Sequence, residues 1–137
     1  MTTARDVMTT GTQCIKEDQT LAEAARMMRD LDVGSLPICG ADDKLHGMLT
    51  DRDIVIRCVA EGGDCMQSRA GDFAQGRVHW VSSDTEIDDA LAVMSEHQVK
   101  RLPVVDDHRL VGMISESDLT KHVNSRQLAN VVSDVYA

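Results

Sequence analysis

Two stretches of the chain carry, at matching spacing, the residue types that polar-ligand chemistry needs. Gly47, Thr50 and Asp53 form a Gly-x-x-Thr-x-x-Asp pattern, and Gly112, Ser115 and Asp118 form Gly-x-x-Ser-x-x-Asp. Each pattern joins the end of an apolar run to the start of a helical stretch. At a helix N-terminus, free amides and the positive dipole end favour a phosphate, and a Thr or Ser hydroxyl adds a hydrogen bond. An ionised Asp only accepts hydrogen bonds, which suits a pair of sugar hydroxyls. Gly47 and Gly112 lack a Cβ, so a ligand or another backbone can come close. The Thr/Ser-x-x-Asp spacing is equally that of a capping box, in which both side chains serve the helix's own first amides. The residues alone leave both readings open.

Other reactive side chains form no constellation. His46, His79, His97, His108 and His122 show neither H-x-H nor HExxH, and are expected as surface or junction residues. No nucleophile stands with a base and no metal-activating cluster is visible, so the chain is expected not to be an enzyme and to need no metal. Cys14, Cys39, Cys58 and Cys65 contain no CxxC and read first as small buried side chains of a reducing compartment. Lys100 and Arg101 precede Leu102-Pro103 where the first half has Gly34 and Ser35. They either reach a phosphate or are solvated charges at a junction. A formal charge of −9 and 2% aromatic residues argue against a nucleic-acid partner, which needs clustered cations or stacking rings. No stretch approaches 18 apolar residues, and MTTARDVMTT has no apolar signal core. No membrane partner is expected, and the location expected is cytoplasmic.

The elements that position these residues are written twice. Asp18, Leu21, Ala24, Ala25, Met28, Val33, Leu36 and Pro37 are answered by Asp84, Ile87, Ala90, Leu91, Met94, Val99, Leu102 and Pro103. Pro37 and Pro103 stand 66 positions apart, Gly47 and Gly112 stand 65. The lost residue falls in the acidic turn, where a duplication tolerates it best. Leu21, Ala24, Ala25 and Met28 have amphipathic spacing, with Thr20 and Glu23 as a capping box. The second copy has Asp84 and Thr85 as cap candidates. Ser35–Cys39 with Leu45–Leu49, and Leu102–Val105 with Leu110–Ile114, read as hairpins of short strands with the proline near the strand start. A further strand is predicted at Gln13–Ile15 and Val78–Val81, and a second helix after Thr50 and Ser115. The order per half is strand, helix, strand, strand, helix. This gives an α/β (α+β) fold of two tandem repeats with pseudo-two-fold symmetry: repeat one over 1–62, a linker over 63–70, repeat two over 71–123, and a helical tail over 124–137. Leu128, Val131, Val132 and Val135 give the tail helical spacing, either packed or frayed.

VGSLPI and VKRLPV, followed by GMLTDRDI and GMISESDL, resemble the CBS repeat, and two in tandem resemble the Bateman module. The resemblance runs from about Asp6 to about His122. LPICG and LHGMLTDRDIVI are further similar to the actinobacterial hypoxic response proteins, stand-alone pairs of this size. The resemblance implies a regulatory module that binds AMP, ADP, ATP, S-adenosylmethionine or NAD between its repeats and acts as a homodimer, with a protein partner reading the result. Carried onto this chain, it makes Val33, Pro37, Gly47, Thr50 and Asp53, with Lys100, Arg101, Pro103, Gly112, Ser115 and Asp118, the candidate ligand residues. Leu36, Ile38 and Met48, or Leu102, Val104 and Met113, would wall the adenine. If one cleft alone takes a phosphorylated ligand, the one with Asp118, Ser115 and Arg101 is favoured. Trp80, where the first half has Cys14, either blocks that cleft or stacks in it. Cys14 and Cys39 fall on strands that neighbour in this family's sheet, so they form a disulfide or two adjacent thiols. Ligand-free stress-response interaction and a thiol-redox switch through Cys14 and Cys39 are the alternative functions.

Overall fold

Thr20 opens the first long helix as its spacing with Glu23 requires, its hydroxyl accepting the Glu23 amide at 3.1 Å. In a computed structural model, which describes residues 1–74 and 78–137, the elements in chain order are α1 (Ala4–Val7), β1 (Ile15–Lys16), α2 (Leu21–Leu31), β2 (Ser35–Cys39), β3 (Leu45–Thr50), α3 (Asp51–Asp53) running into a π-helix (Ile54–Val59), a 3₁₀ turn (Ala70–Phe73), α4 (Ile87–His97), β4 (Arg101–Asp106), β5 (Arg109–Ser115), α5 (Glu116–His122) and α6 (Ser125–Val135). The fold mixes helices with small sheets. Two units divide the chain: residues 13–78, and residues 1–12 together with 79–137.

In the unit of residues 13–78, β1 pairs parallel with β2, and β2 antiparallel with β3, Pro37 standing opposite Met48 and Ile38 opposite Gly47. Leu21, Ala24 and Met28 of α2 bury against Ile15, Leu36, Ile38 and Leu49. Ala25, expected on that stripe, is exposed, and half-buried Met27 packs there instead. The stretch 63–70 is hydrogen-bonded to the start of α2: the carbonyls of Ser68 and Cys65 accept the amides of Leu21 and Ala22 at 2.9 and 3.0 Å.

In the other unit, β4 pairs antiparallel with β5, and Val81 bridges Val104 in parallel, the counterpart of β1. Glu86 is the N-cap of α4 and makes no side-chain cap bond; Asp84 and Thr85 lie two residues and one residue too early, and Asp84 accepts from the Ser82 hydroxyl instead. The shortened hairpin turns on Asp107 and His108, both with positive φ (50° and 67°), the backbone a two-residue hairpin needs. Pro103 is the third residue of its strand. Its missing N–H does little harm because Met113 opposite donates to Thr9, while the Pro103 carbonyl accepts from Val81. The tail is helical and packed: Asn124 caps α6, and Val131 and Val135 enter the core with Met94 and Leu119.

The leading segments dock by one rule in both units. Ala4 and Arg5 donate their amides to Thr85 and Ser83 at 2.8 and 3.0 Å, and Ala70 and Gly71 donate theirs to Gln19 and Glu17 at 2.8 and 2.9 Å. Thr3 bridges Glu86 as Arg69 bridges Thr20. The duplication therefore copied this docking along with the helices.

Candidate functional site

The end of β3 turns into α3 at Thr50, whose backbone is still extended (φ −110°, ψ 160°). That conformation points the Thr50 hydroxyl at the helix, where it accepts the Asp53 amide at 3.0 Å, while Asp53 Oδ2 accepts the Thr50 amide at 2.9 Å. The capping box is thus complete. Asp53 stays half-buried, and its Oδ1 has Arg57 Nη1 at 3.7 Å, one helical turn on. The Arg57 guanidinium lies 4.8 Å above the Phe73 ring. An acceptor oxygen, a hydroxyl and a cation therefore share one strand–helix junction.

At the equivalent junction, Ser115 and Asp118 also form a capping box: the Ser115 amide and hydroxyl both donate to Asp118 Oδ2, at 2.9 and 3.0 Å. The difference lies in Oδ1, which accepts the Thr9 hydroxyl at 2.7 Å. Thr9 is held there by reciprocal backbone bonds with Met113 at 2.9 and 3.0 Å. With both oxygens engaged, Asp118 is 7% exposed. Arg101 stands opposite Ser115 in register. Lys100 is directed elsewhere, its Nζ 4.6 Å above the ring of Tyr136 in the tail.

Both glycines are closely approached by other parts of the chain. A Cβ on Gly47 would lie 2.9 Å from both Cα and Cβ of Ala74, and one on Gly112 would collide with the Met8 side chain, its Cγ at 2.8 Å. Of the expected adenine walls, Leu36, Ile38, Leu102 and Val104 are at most 2% exposed and belong to the cores. Strand alternation puts these positions on the inner face. Val33, Val99 and Met48 are half-buried, and Pro37 and Pro103 are buried. Trp80 is half exposed and lines an open groove of about 700 Å³ with Arg5, Asp84, Asp106 and His108. Ser115 and Asp118 do not line it, and three carboxylates including Asp107 make it a poor place for a phosphate.

The contacts of Thr9 and Ser83 had no sequence signal, unlike the Cys14–Cys39 pair. Thr9 on Asp118 spans 109 residues. Ser83, 3% exposed, gives its hydroxyl and amide to Asp106 at 2.6 and 3.0 Å, and Arg5 donates to the same hydroxyl at 2.8 Å. These bonds hold the Asp106 carboxyl below the usual range, the Ser83 hydroxyl contributing most. Cys14 and Cys39 are joined in a disulfide with their Cα atoms 5.7 Å apart. Cys14 immediately precedes β1, which pairs parallel with β2, the strand that Cys39 ends.

Residues 4–59 and 70–125 each match the model of the CBS domain. The chain belongs to the CBS domain family. It is 47% identical over 135 residues to Hypoxic response protein 1 of Mycobacterium tuberculosis, covering 98% of this chain and 94% of that protein. It is 35% identical to the CBS domain-containing protein YhcV of Bacillus subtilis, covering 94% and 91%. The crystal structure of Hypoxic Response Protein I with two coordinated zinc ions superposes with a TM-score of 0.83 at 50% identity, over 90% of this chain and all of that one. The CBS protein TA0289 of Thermoplasma acidophilum gives 0.85 at 20% identity, over 98% and 76%, a likeness of fold. The chain is thus a tandem CBS module, a regulatory and ligand-binding fold. No helix among the described residues is long and apolar enough to cross a membrane.

Proposed function

We propose that this CBS pair is a regulatory module that binds an adenosine-containing ligand and works as a homodimer. The single observation that carries the reading is the contrast between the two signature carboxylates. Asp118 has both oxygens satisfied by short bonds within the chain, whereas among the described residues Asp53 Oδ1 has only a cation at 3.7 Å. An under-used, half-buried carboxylate is the group a ribose diol would engage, and Arg57 beside it suits a phosphate. This favours the Thr50/Asp53 junction as the primary site, with Gly47, Val33 and Pro37 around it. The Gly112, Ser115 and Asp118 junction, with Pro103, Arg101 and Lys100, is the weaker one. The fold holds AMP in the CBSX2 structure, at 22% identity a relation of fold only. The Hypoxic Response Protein I structure holds zinc; among the described residues of this chain no three His, Cys, Asp or Glu side chains group as ligands. The dimer is supported by Val55, Ile56 and Val59, which the π-helix leaves 55%, 45% and 58% exposed, an apolar face that a second copy would cover.

The test is thermal unfolding with AMP, ADP, ATP, S-adenosylmethionine and NADH, with solution mass measured by light scattering. A ligand at 100 times its Kd stabilises the fold by about 2.7 kcal/mol, roughly an 8–12 °C rise for a domain of this size. The rise should vanish in Asp53→Ala and persist in Asp118→Ala. No rise with any of the five at millimolar concentration overturns the ligand assignment, and a monomer mass overturns the dimer.

A further inference from the structure

Two cysteines not used by the reading above face each other at the far end of the helix that Thr50 begins. Cys58 and Cys65 are free, and their Sγ atoms lie 3.2 Å apart. We propose that Cys58 and Cys65 are a redox-active thiol pair that closes to an intramolecular disulfide on exposure to a hydroperoxide.

The backbone holds the sulfurs together from both sides. The π-helix ends with five-residue bonds, the Ala60 amide to Val55 at 2.8 Å and the Gly63 amide to Cys58 at 2.9 Å. Gly62 takes the left-handed conformation (φ 74°) that reverses the chain there, a backbone glycine adopts without strain. A Cβ on Gly63 would press on the Cys58 carbonyl and Sγ, both at 3.1 Å. Beyond the reversal, Asp64 closes a turn by accepting the amides of Met66, Gln67 and Ser68. The carbonyls of Cys65 and Ser68 are then fastened to the first amides of α2. Each thiol is thus anchored through its own main chain, and a disulfide needs the sulfurs to approach by only about 1.2 Å from their present contact. Gly62, with nothing within 4 Å of where its Cβ would be, leaves room for that adjustment.

Exposure sets the order of events. Cys58 is 2% exposed, while Cys65 is half-buried beside Met66, which is 59% exposed. The Cys65 sulfur attacks the peroxide, breaking its O–O bond; Cys65 becomes a sulfenic acid and water leaves. The Cys58 sulfur then attacks the Cys65 sulfur, the S–O bond breaks, and a second water carries off the hydroxyl with the Cys58 proton. Two thiols and one hydrogen peroxide give one disulfide and two waters. The thiol–thiol hydrogen bond, then burial and the charge of Asp64, push the Cys65 thiol above its ordinary range. Closure is therefore slower than at a dedicated peroxide-reducing cysteine. The pair is separate from Cys14–Cys39, which is already bridged.

Arg57 and Arg69 are successive tryptic sites, so one peptide, residues 58–69, carries both thiols and Met66. The full chain is treated with hydrogen peroxide, quenched, alkylated with iodoacetamide, digested and weighed. The expected product is a peptide lighter by two hydrogens and without alkyl groups, becoming the major form and reverting with dithiothreitol. Doubly alkylated peptide at a dose that has already converted Met66 to sulfoxide overturns the proposal, as does a disulfide between chains. In Cys58→Ser, dimedone should label Cys65; in Cys65→Ser, Cys58 should stay unlabelled. The reverse pattern overturns the order of attack. If either variant fails to fold, the unsubstituted chain's peptide mass decides alone.

Discussion

Replacing each signature glycine by alanine should separate two explanations for it, tight backbone packing and ligand access. At Gly47 the new methyl meets Cα and Cβ of Ala74 at 2.9 Å. Ala74 cannot retreat easily, because it closes a 3₁₀ turn with its amide on Gly71, and that turn is pinned to Gln19 and Glu17. At Gly112 the obstruction is the side chain of Met8, half-buried and free to swing about its torsions. Overpacking against fixed backbone costs about 1–3 kcal/mol, offset by about 0.5–1 kcal/mol for removing glycine from a strand. Gly47→Ala should thus lose about 1–2 kcal/mol, and Tm should fall by roughly 3–8 °C for a domain of this length. Gly112→Ala should stay within about 3 °C of the unsubstituted chain, since the intrinsic gain nearly cancels a Met rotamer change. Far-UV circular dichroism melts and urea titrations of the unliganded chain give both numbers. Adding Ala74→Gly to Gly47→Ala should recover part of the loss, a coupling of about 0.5 kcal/mol or more. If Gly47→Ala is as stable as the parent, or if Gly112→Ala is the more damaged, the packing argument is refuted. The glycine would then stand there for ligand access alone.

Two further outcomes follow from particular bonds. Reducing Cys14–Cys39, which spans a sequence separation of 25, should remove up to about 3.5 kcal/mol by releasing loop entropy in the unfolded chain; reductant should lower Tm in the parent and change nothing in a Cys14→Ser/Cys39→Ser variant. The Ser83 bonds favour ionised Asp106 in the folded chain, so its folded pKa lies below its unfolded one. This contribution is full above the unfolded carboxylate pKa and fades as pH falls through the folded value; Ser83→Ala should flatten that acid-side loss in urea midpoints measured between about pH 6 and pH 3.

The sequence was informative wherever the physics is local or repeated. Thr50 with Asp53 and Ser115 with Asp118 are capping boxes because the spacing closes a reciprocal pair of bonds within one helical turn; Thr20 caps α2 with half of that pair, its hydroxyl accepting the Glu23 amide while the Glu23 carboxylate accepts from Gln19. The hairpins, the strand order and the Cys14–Cys39 neighbours followed from the duplication and the family. The misplacements are equally physical. Periodicity put Ala25 on the buried stripe, but a methyl group has too little apolar area to set the rotation of a helix against Met27 and Met28. Asp84 and Thr85 were better capping residues than Glu86, yet tertiary docking of Thr2 and Thr3 on Glu86–Ile87 fixes where α4 begins. Thr9 on Asp118 and Ala74 on Gly47 join residues with no periodic relation, and no single-sequence rule reaches them.

The docked leading segments change how the duplicated signature is understood. A motif copied twice suggests two equal sites, yet each copy is completed by residues from outside its own strand–helix junction, and those residues diverged. Position 8 is methionine and position 74 is alanine, over Gly112 and Gly47 respectively; Thr9 satisfies Asp118, whereas Asp53 faces Arg57. The capping box must be retained in both copies because losing either partner leaves helix amides unpaired, at a cost of about 1 kcal/mol. The outer carboxylate oxygen has no such obligation. Selection can close it with a hydroxyl, which adds stability, or leave it open for a ligand, which adds regulation. Among the described residues the two copies differ at Asp53 Oδ1 and Asp118 Oδ1, the difference on which the proposed ligand site rests, whereas the shared pattern carries the fold.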